Sequence, residues 1–155
     1  MLVVDDNQFM RSITKTVLSA FHCRNIREAE NGVQALEVLR GGFSPDIIIT
    51  NWNMPEMDGI TFAHNIRSDP DSVNPYTPIV MVTGHSEQHR VLAALNAGIN
   101  EFLVKPVTAK GLYSRLAAVI LRPRPFVRAK DFFGPDRRRR HDAAYRGRER
   151  RKSHP

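Results

Sequence analysis

A chain of 155 residues that is 41% hydrophobic and carries a formal net charge of +7 has room for one domain with a full core and little more. No apolar run approaches bilayer length, and Met1-Leu-Val-Val-Asp-Asp lacks the features of a signal peptide, so a cytoplasmic protein is expected. The single cysteine, Cys23, excludes an internal disulfide and has no metal-ligand spacing around it.

Taken in chain order, Leu2–Val4 reads as a short strand that delivers Asp5 and Asp6 to its carboxyl end. Adjacent carboxylates at that place suit a hard cation, or cap the helix that follows. Phe9, Ile13, Val17 and Phe21 recur every four residues, with Met10 and Leu18 beside them, which predicts an amphipathic helix laid on a sheet by that stripe. Residues 24–29 form a second strand, Asn31-Gly32 a turn, and Val33, Leu36 and Leu39 the inner side of a second helix ending at Gly41-Gly42.

Ile47, Ile48 and Ile49 lie between Pro45-Asp46 and the turn signals of residues 55–59. Three β-branched residues in a row predict a strand buried on both faces, at the centre of a parallel sheet. Chemistry in open α/β sheets collects at the carboxyl ends of strands, so Thr50, Asn51 and Asn53 lie at the mouth of a site. Asp58 or Gly59 opens a third helix with Ile60, Ala63 and Ile66 inward. Residues 68–77, containing Pro70, Asn74, Pro75 and Tyr76, make a connection longer than usual and without an assigned role. Residues 78–83 form a fourth strand, Val91, Leu92, Leu95 and Ala97 the inner side of a fourth helix, and residues 100–104 a fifth strand stopped by Lys105-Pro106. A last helix over residues 108–121 is carried by Leu112, Leu116, Val119 and Ile120. Five strands alternating with five helices give a doubly wound α/β fold.

The segment D-I-I-I-T-N-W-N-M-P-E-M-D-G, residues 46–59, resembles the phosphoacceptor segment of bacterial receiver domains, where a strand ends in Asp and x-x-M-P-x-x-D-G follows. Met54, Pro55, Asp58 and Gly59 keep that spacing, and Asn51 occupies the acceptor position. The resemblance extends over residues 1–121. Asp5 and Asp6 match the family's metal-binding acidic pair, Thr83 its switch hydroxyl, Phe102 its switch aromatic and Lys105 its cation. It implies a flavodoxin-like, CheY-like sheet of five parallel strands in the order 2-1-3-4-5. An amide cannot attack a phosphohistidine as a carboxylate does, so no catalytic residue and no enzyme activity are expected. With one carboxylate of three replaced, Asp5 and Asp6 are left to hold Mg²⁺ weakly at best.

The charge is not shared evenly. Residues 1–121 hold ten Lys and Arg against twelve Asp and Glu, a balance of −2, whereas residues 122–155 hold thirteen against four, a balance of +9. Two segments follow: a receiver (pseudo-receiver) domain over 1–121 and an arginine-rich tail over 122–155, opened by R-P-R-P and expected to be disordered without a ligand. Guanidinium groups grip phosphates and stack on bases, and aromatic rings add stacking surfaces. Arg128-Ala-Lys-Asp131 and Arg139-Arg-His-Asp142 both read R-x-x-D, similar to the product-inhibition motif of diguanylate cyclases.

A receiver without ordinary acceptor chemistry, followed by the phrase F-F-G-P-D-R-R-R, resembles the Cle family of CheY-like cyclic di-GMP effectors. That resemblance implies cyclic di-GMP as ligand, with Arg128, Asp131, Phe133, Asp136, Arg137, Arg138, Arg139, Arg140, Asp142, Tyr145, Arg148 and Arg150 as its contacts. It also implies docking on the flagellar motor switch protein FliM through the fourth helix, fifth strand and fifth helix, to control motility or surface attachment. The alternative is a phosphorylation-independent response regulator whose basic tail binds nucleic acid or an acidic protein. The tail lacks the hydrophobic periodicity of a helix-turn-helix, so specific DNA recognition is not expected.

Overall fold

Parallel strands must be connected by crossovers, and helices serving as crossovers cover both faces of the sheet they connect. The computed structural model of the chain, which describes residues 1–84 and 88–137, is built this way. The elements alternate as β1 (Leu2–Val4), α1 (Gln8–Ala20), β2 (Arg27–Ala29), α2 (Gly32–Arg40), β3 (Ile48–Asn51), α3 (Gly59–Ser68), β4 (Ile79–Thr83), α4 (Gln88–Asn96), β5 (Glu101–Val104) and α5 (Ala109–Leu121). The sheet runs β2-β1-β3-β4-β5, and each neighbouring pair is parallel. This is the order expected of a flavodoxin-like sheet.

The two-residue period of a strand divides the core into two layers. Leu2, Val4, Ile48, Ile79 and Met81 face one side with Ala35 and Leu39 of α2, Phe62, Ala63 and Ile66 of α3, and Ala94 of α4. Val3, Ile49, Val80, Val82 and Leu103 face the other, with Leu18 of α1 and Leu112, Leu116 and Val119 of α5. Asn7, Asn31, Asp58 and Thr108 each cap a helix by accepting a backbone N–H, so sequence-local signals fix where α1, α2, α3 and α5 begin.

Several expected faces are rotated. The buried side of α1 is Arg11, Thr14 and Leu18, while Phe9, first residue of the expected stripe, is 70% exposed. Arg11 turns inward because its Nη1 donates to the Asp5 carbonyl at 2.7 Å and its Nη2 to Glu30 Oε1 at 3.2 Å. Leu92 and Ile120, both expected inward, are 62% and 60% exposed. Small residues, Ala94 on α4 and Ala97 just after it, let that helix sit close to the sheet instead. The second strand is shorter than read, beginning at Arg27.

The largest departure lies beyond α5. Residues 122–155 were expected to be an unfolded arm, yet Phe126–Ala129 (β6) and Phe132–Pro135 (β7) pair as an antiparallel hairpin across a Lys130-Asp131 turn. Residues 138–155 lie outside the described residues. Among the described residues, no helix is long and apolar enough to cross a membrane.

Candidate functional site

The carboxyl ends of β1, β3, β4 and β5 bring Asp5, Asp6, Asn51, Thr83 and Lys105 together, as expected from the order of the strands. Asn51 is buried, and each polar atom of its side chain is engaged. Its Oδ1 accepts the Trp52 N–H at 3.0 Å, a donor shared with the Val82 carbonyl at 3.1 Å, and this orients the amide. Its Nδ2 therefore faces the site and donates to Asp6 Oδ1 at 3.1 Å and to the Asn53 carbonyl at 2.8 Å. Gly59 closes the turn behind it: the Gly59 N–H donates to the Trp52 carbonyl at 2.8 Å, and a Cβ there would collide with the Asn51 carbonyl.

Asp5 is 6% exposed. Burial raises its carboxyl above the usual carboxylate range, with the neighbouring charge of Asp6 acting in the same direction. The Asn7 N–H, 2.9 Å from Oδ1, and Lys105 Nζ, 3.6 Å from Oδ2, act against it. Lys105 thus pairs with Asp5. Thr83 is buried at the end of β4, where its carbonyl accepts the Lys105 N–H at 2.8 Å. Phe102 is half-buried and packs against the α2–α3–α4 layer of the core.

A hard divalent ion needs about six oxygens around it. Here the Asn51 amide hydrogens already point at Asp6 and at the Asn53 carbonyl, the acceptors a cation would need, and Asp5 is held by Lys105 and the Asn7 N–H. Among the described residues, no three His, Cys, Asp or Glu side chains converge on one point. The site fits a hydrogen-bonded amide better than a tightly held Mg²⁺.

The sequence pattern of the response regulator receiver domain matches residues 1–117. The chain belongs to the response regulator receiver family. It is 41% identical over 120 residues to chemotaxis protein CheY1 of Helicobacter pylori, an alignment covering 77% of this chain and 95% of that one. It is 37% identical over 121 residues to chemotaxis protein CheY-3 of Vibrio cholerae, covering 78% and 91%. Among solved structures, Vibrio cholerae chemotaxis protein CheY4 superposes with a TM-score of 0.69 at 28% identity, covering 77% of this chain and 96% of that one. These matches leave the residues after the last receiver helix largely uncovered.

In this receiver the hairpin packs at the opposite end of the sheet from Asn51, below the amino ends of β4 and β5. Phe126, Phe133 and Tyr76 form a three-ring cluster with centroid separations of 5.1 to 5.5 Å. Tyr76 belongs to the 68–77 connection, which thereby acquires a role: it is the seat of the hairpin. Gly134 of β7 meets Gly98 of the α4–β5 loop backbone to backbone; a Cβ on Gly134 would come within 2.9 Å of Gly98 Cα. Gly98 itself has φ +85, and a Cβ there would press on Arg67.

Arg67 is the keystone of that end. It is 6% exposed, and its guanidinium makes five hydrogen bonds, to the carbonyls of Pro75, Thr77 and, twice, Gly98, and to Asn100 Oδ1. Phe126 lies over the same group at 5.1 Å. Burial pulls its pKa down to about 9, while the ring of carbonyl oxygens supports the charge. A second tether comes from Arg124, whose Nη2 sits 2.9 Å from Glu101 Oε1 on β5, with Arg115 3.2 Å from the other oxygen.

Of the twelve expected ligand contacts, Arg128, Asp131, Phe133, Asp136 and Arg137 are described, and all belong to the hairpin or its base. Arg128 lies 4.6 Å over Phe133 and Arg137 4.2 Å over Phe132. The Asp136 N–H donates to the Pro125 carbonyl at 2.8 Å and closes the hairpin. Arg138, Arg139, Arg140, Asp142, Tyr145, Arg148 and Arg150 lie outside the described residues. Sequence reasoning missed Arg67, Tyr76, Arg124 and Glu101. The only local signal was the pair of aromatic runs around Lys130-Asp131.

Proposed function

We propose that this receiver is a non-enzymatic, CheY-like signalling effector that binds cyclic di-GMP through its arginine-rich extension. It docks on the flagellar motor switch protein FliM and so controls motility or surface attachment from a cytoplasmic position at the motor. The observation that carries this reading is the engagement of Asn51: a neutral amide, hydrogen-bonded to Asp6 and the Asn53 carbonyl, stands where phosphoryl uptake needs a free carboxylate. Input must then come from elsewhere, and the extension holds the positive balance of the chain.

The hairpin displays Arg128 and Arg137 over aromatic rings, and both are exposed, so their guanidinium groups are open to a base or a phosphate. A motor-side partner is supported by the names of the chemotaxis relatives and by exposed apolar side chains on α4 and β5, Leu92 and Val104. At the relic site Asp5 and Asp6 retain weak Mg²⁺ binding.

Calorimetry on the full chain at physiological salt tests the reading. The expected result is a dissociation constant of about 1 µM or tighter for cyclic di-GMP, none comparable for GTP or duplex DNA, and ligand-dependent co-purification of FliM. Rapid phosphoryl uptake from a histidine kinase, or indifference to cyclic di-GMP, overturns it.

A further inference from the structure

We infer that one guanine nucleotide unit of the ligand is held between the hairpin and the receiver body, in the groove that separates the Lys130-Asp131 turn from the carboxyl ends of α3 and α4. This rests on the cyclic di-GMP reading and adds a receiver-side wall to a site otherwise assigned to the arm alone. The groove has a volume of about 700 Å³, within the range of small-molecule sites. Arg128 and Asp131, the two fixed residues of the first R-x-x-D, both line it.

The two walls differ electrically. On the hairpin side stand Arg128 and Lys130, both exposed, beside the single carboxylate of Asp131; on the receiver side the Arg67 guanidinium reaches the lining but is 6% exposed, with its donors spent on the Pro75, Thr77 and Gly98 carbonyls and Asn100 Oδ1. On the receiver side the groove is closed by Ser68 and Asn96, the last residues of α3 and α4, where helix ends carry partial negative charge. The Ser68 hydroxyl donates to the His64 carbonyl at 2.7 Å and lies 3.0 Å from His64 Nδ1, which leaves one lone pair to accept from a ligand. Asp69 adds a negative charge to this wall, its Oδ1 accepting the Asp71 N–H at 2.9 Å and its Oδ2 lying 3.5 Å from Arg40. Guanine matches this polarity: its N1–H and exocyclic amine form one donor edge, while the sugar carries the phosphate away from that edge. The donor edge faces the receiver wall and the phosphodiester faces Arg128 and Lys130. Adenine, with an acceptor at N1, does not match. Because Gly134 on Gly98 and the Tyr76 cluster hold the hairpin in place, this half of the site is formed before the ligand arrives and costs less to order.

The test is a titration of the isotope-labelled full chain with cyclic di-GMP, read by amide NMR, beside calorimetry on Ser68→Leu and Asn96→Leu. Both positions are exposed, and unchanged melting of each variant checks the fold. The expected result is shifts at residues 64–69 and 96–98 together with 128–133, affinity weakened about tenfold by each variant, and cyclic di-AMP bound at least about tenfold more weakly than cyclic di-GMP. Shifts confined to residues 128 and beyond, with full affinity in both variants, would overturn the groove while leaving the effector reading in place. A wild-type chain that binds no cyclic di-GMP removes both.

Discussion

Two donors and one acceptor make up the side-chain amide of Asn51, and all three are matched in place by Asp6, the Asn53 carbonyl and the Trp52 N–H. A carboxylate there would turn an oxygen toward two acceptors, and only a cation could relieve the repulsion. Asn51→Asp is therefore expected to lose about 1 to 3 kcal/mol of stability without metal and to recover it with Mg²⁺. Melting curves with and without MgCl₂, and the fluorescence of Trp52, the chain's single tryptophan, read this directly; a wild-type response as large as the variant's contradicts it. Asp5 gives a prediction of the opposite kind. Its burial raises the native pKa above that of the unfolded chain, so the native state holds more protons in the intervening window and stability from this group falls as pH rises through it. Asp5→Asn removes the cost of the buried charge. The variant should melt no lower than wild type at neutral pH, and its advantage should vanish on acidification to about pH 4, the unfolded carboxylate range.

At the scale of elements, the hairpin and the 68–77 connection belong to one unit built on Arg67. Replacing that residue leaves the Pro75, Thr77 and Gly98 carbonyls without their donor in a dry setting. Arg67→Met should cost at least about 2 kcal/mol in urea unfolding and expose the amides of 126–135 to hydrogen exchange. Gly134→Ala separates docking from folding. Its Cβ would press on Gly98 and on the Phe132 ring, so the hairpin should lift while the five-stranded sheet keeps its melting temperature to within a few degrees. Protection of the 126–135 amides equal to wild type would show that the glycine contact is dispensable. The hairpin escaped the sequence reading because Lys130-Asp131 is not the Asn-Gly or Asp-Gly pair that marks a tight turn, and because the surrounding arginines suggested an unfolded arm. The α1 face was misread for a related reason. Periodicity counts apolar residues, whereas Arg11 turned inward to meet the Asp5 carbonyl and Glu30.

Over the whole molecule, the Asn51 site and the docked hairpin occupy opposite ends of one sheet. The relic acceptor site lies at the carboxyl ends of the strands, and the basic extension is seated at the amino ends, with Arg124 on Glu101 tying its first residues to edge strand β5. Changing Arg137, Arg138, Arg139 and Arg140 together to alanine should abolish cyclic di-GMP binding in calorimetry and leave the thermal unfolding of the receiver nearly unchanged, since charged side chains add little to an apolar core. A large loss of stability would mean that these residues belong to the fold. The amino-acid sequence by itself determined the alternation of strands and helices, the caps that start most helices, the cluster of Asp5, Asp6, Thr83 and Lys105, and the amide that stands at position 51. Those follow from local pattern and from the functional groups present. Only the tertiary structure decided that Tyr76 would meet Phe126 and Phe133, that Gly134 would meet Gly98, that Arg67 would sit beneath Phe126, and that the arm would begin as a docked hairpin. Such contacts join residues 36 to 59 positions apart in the chain, and no local propensity encodes a fit between surfaces that exist only once the sheet has formed.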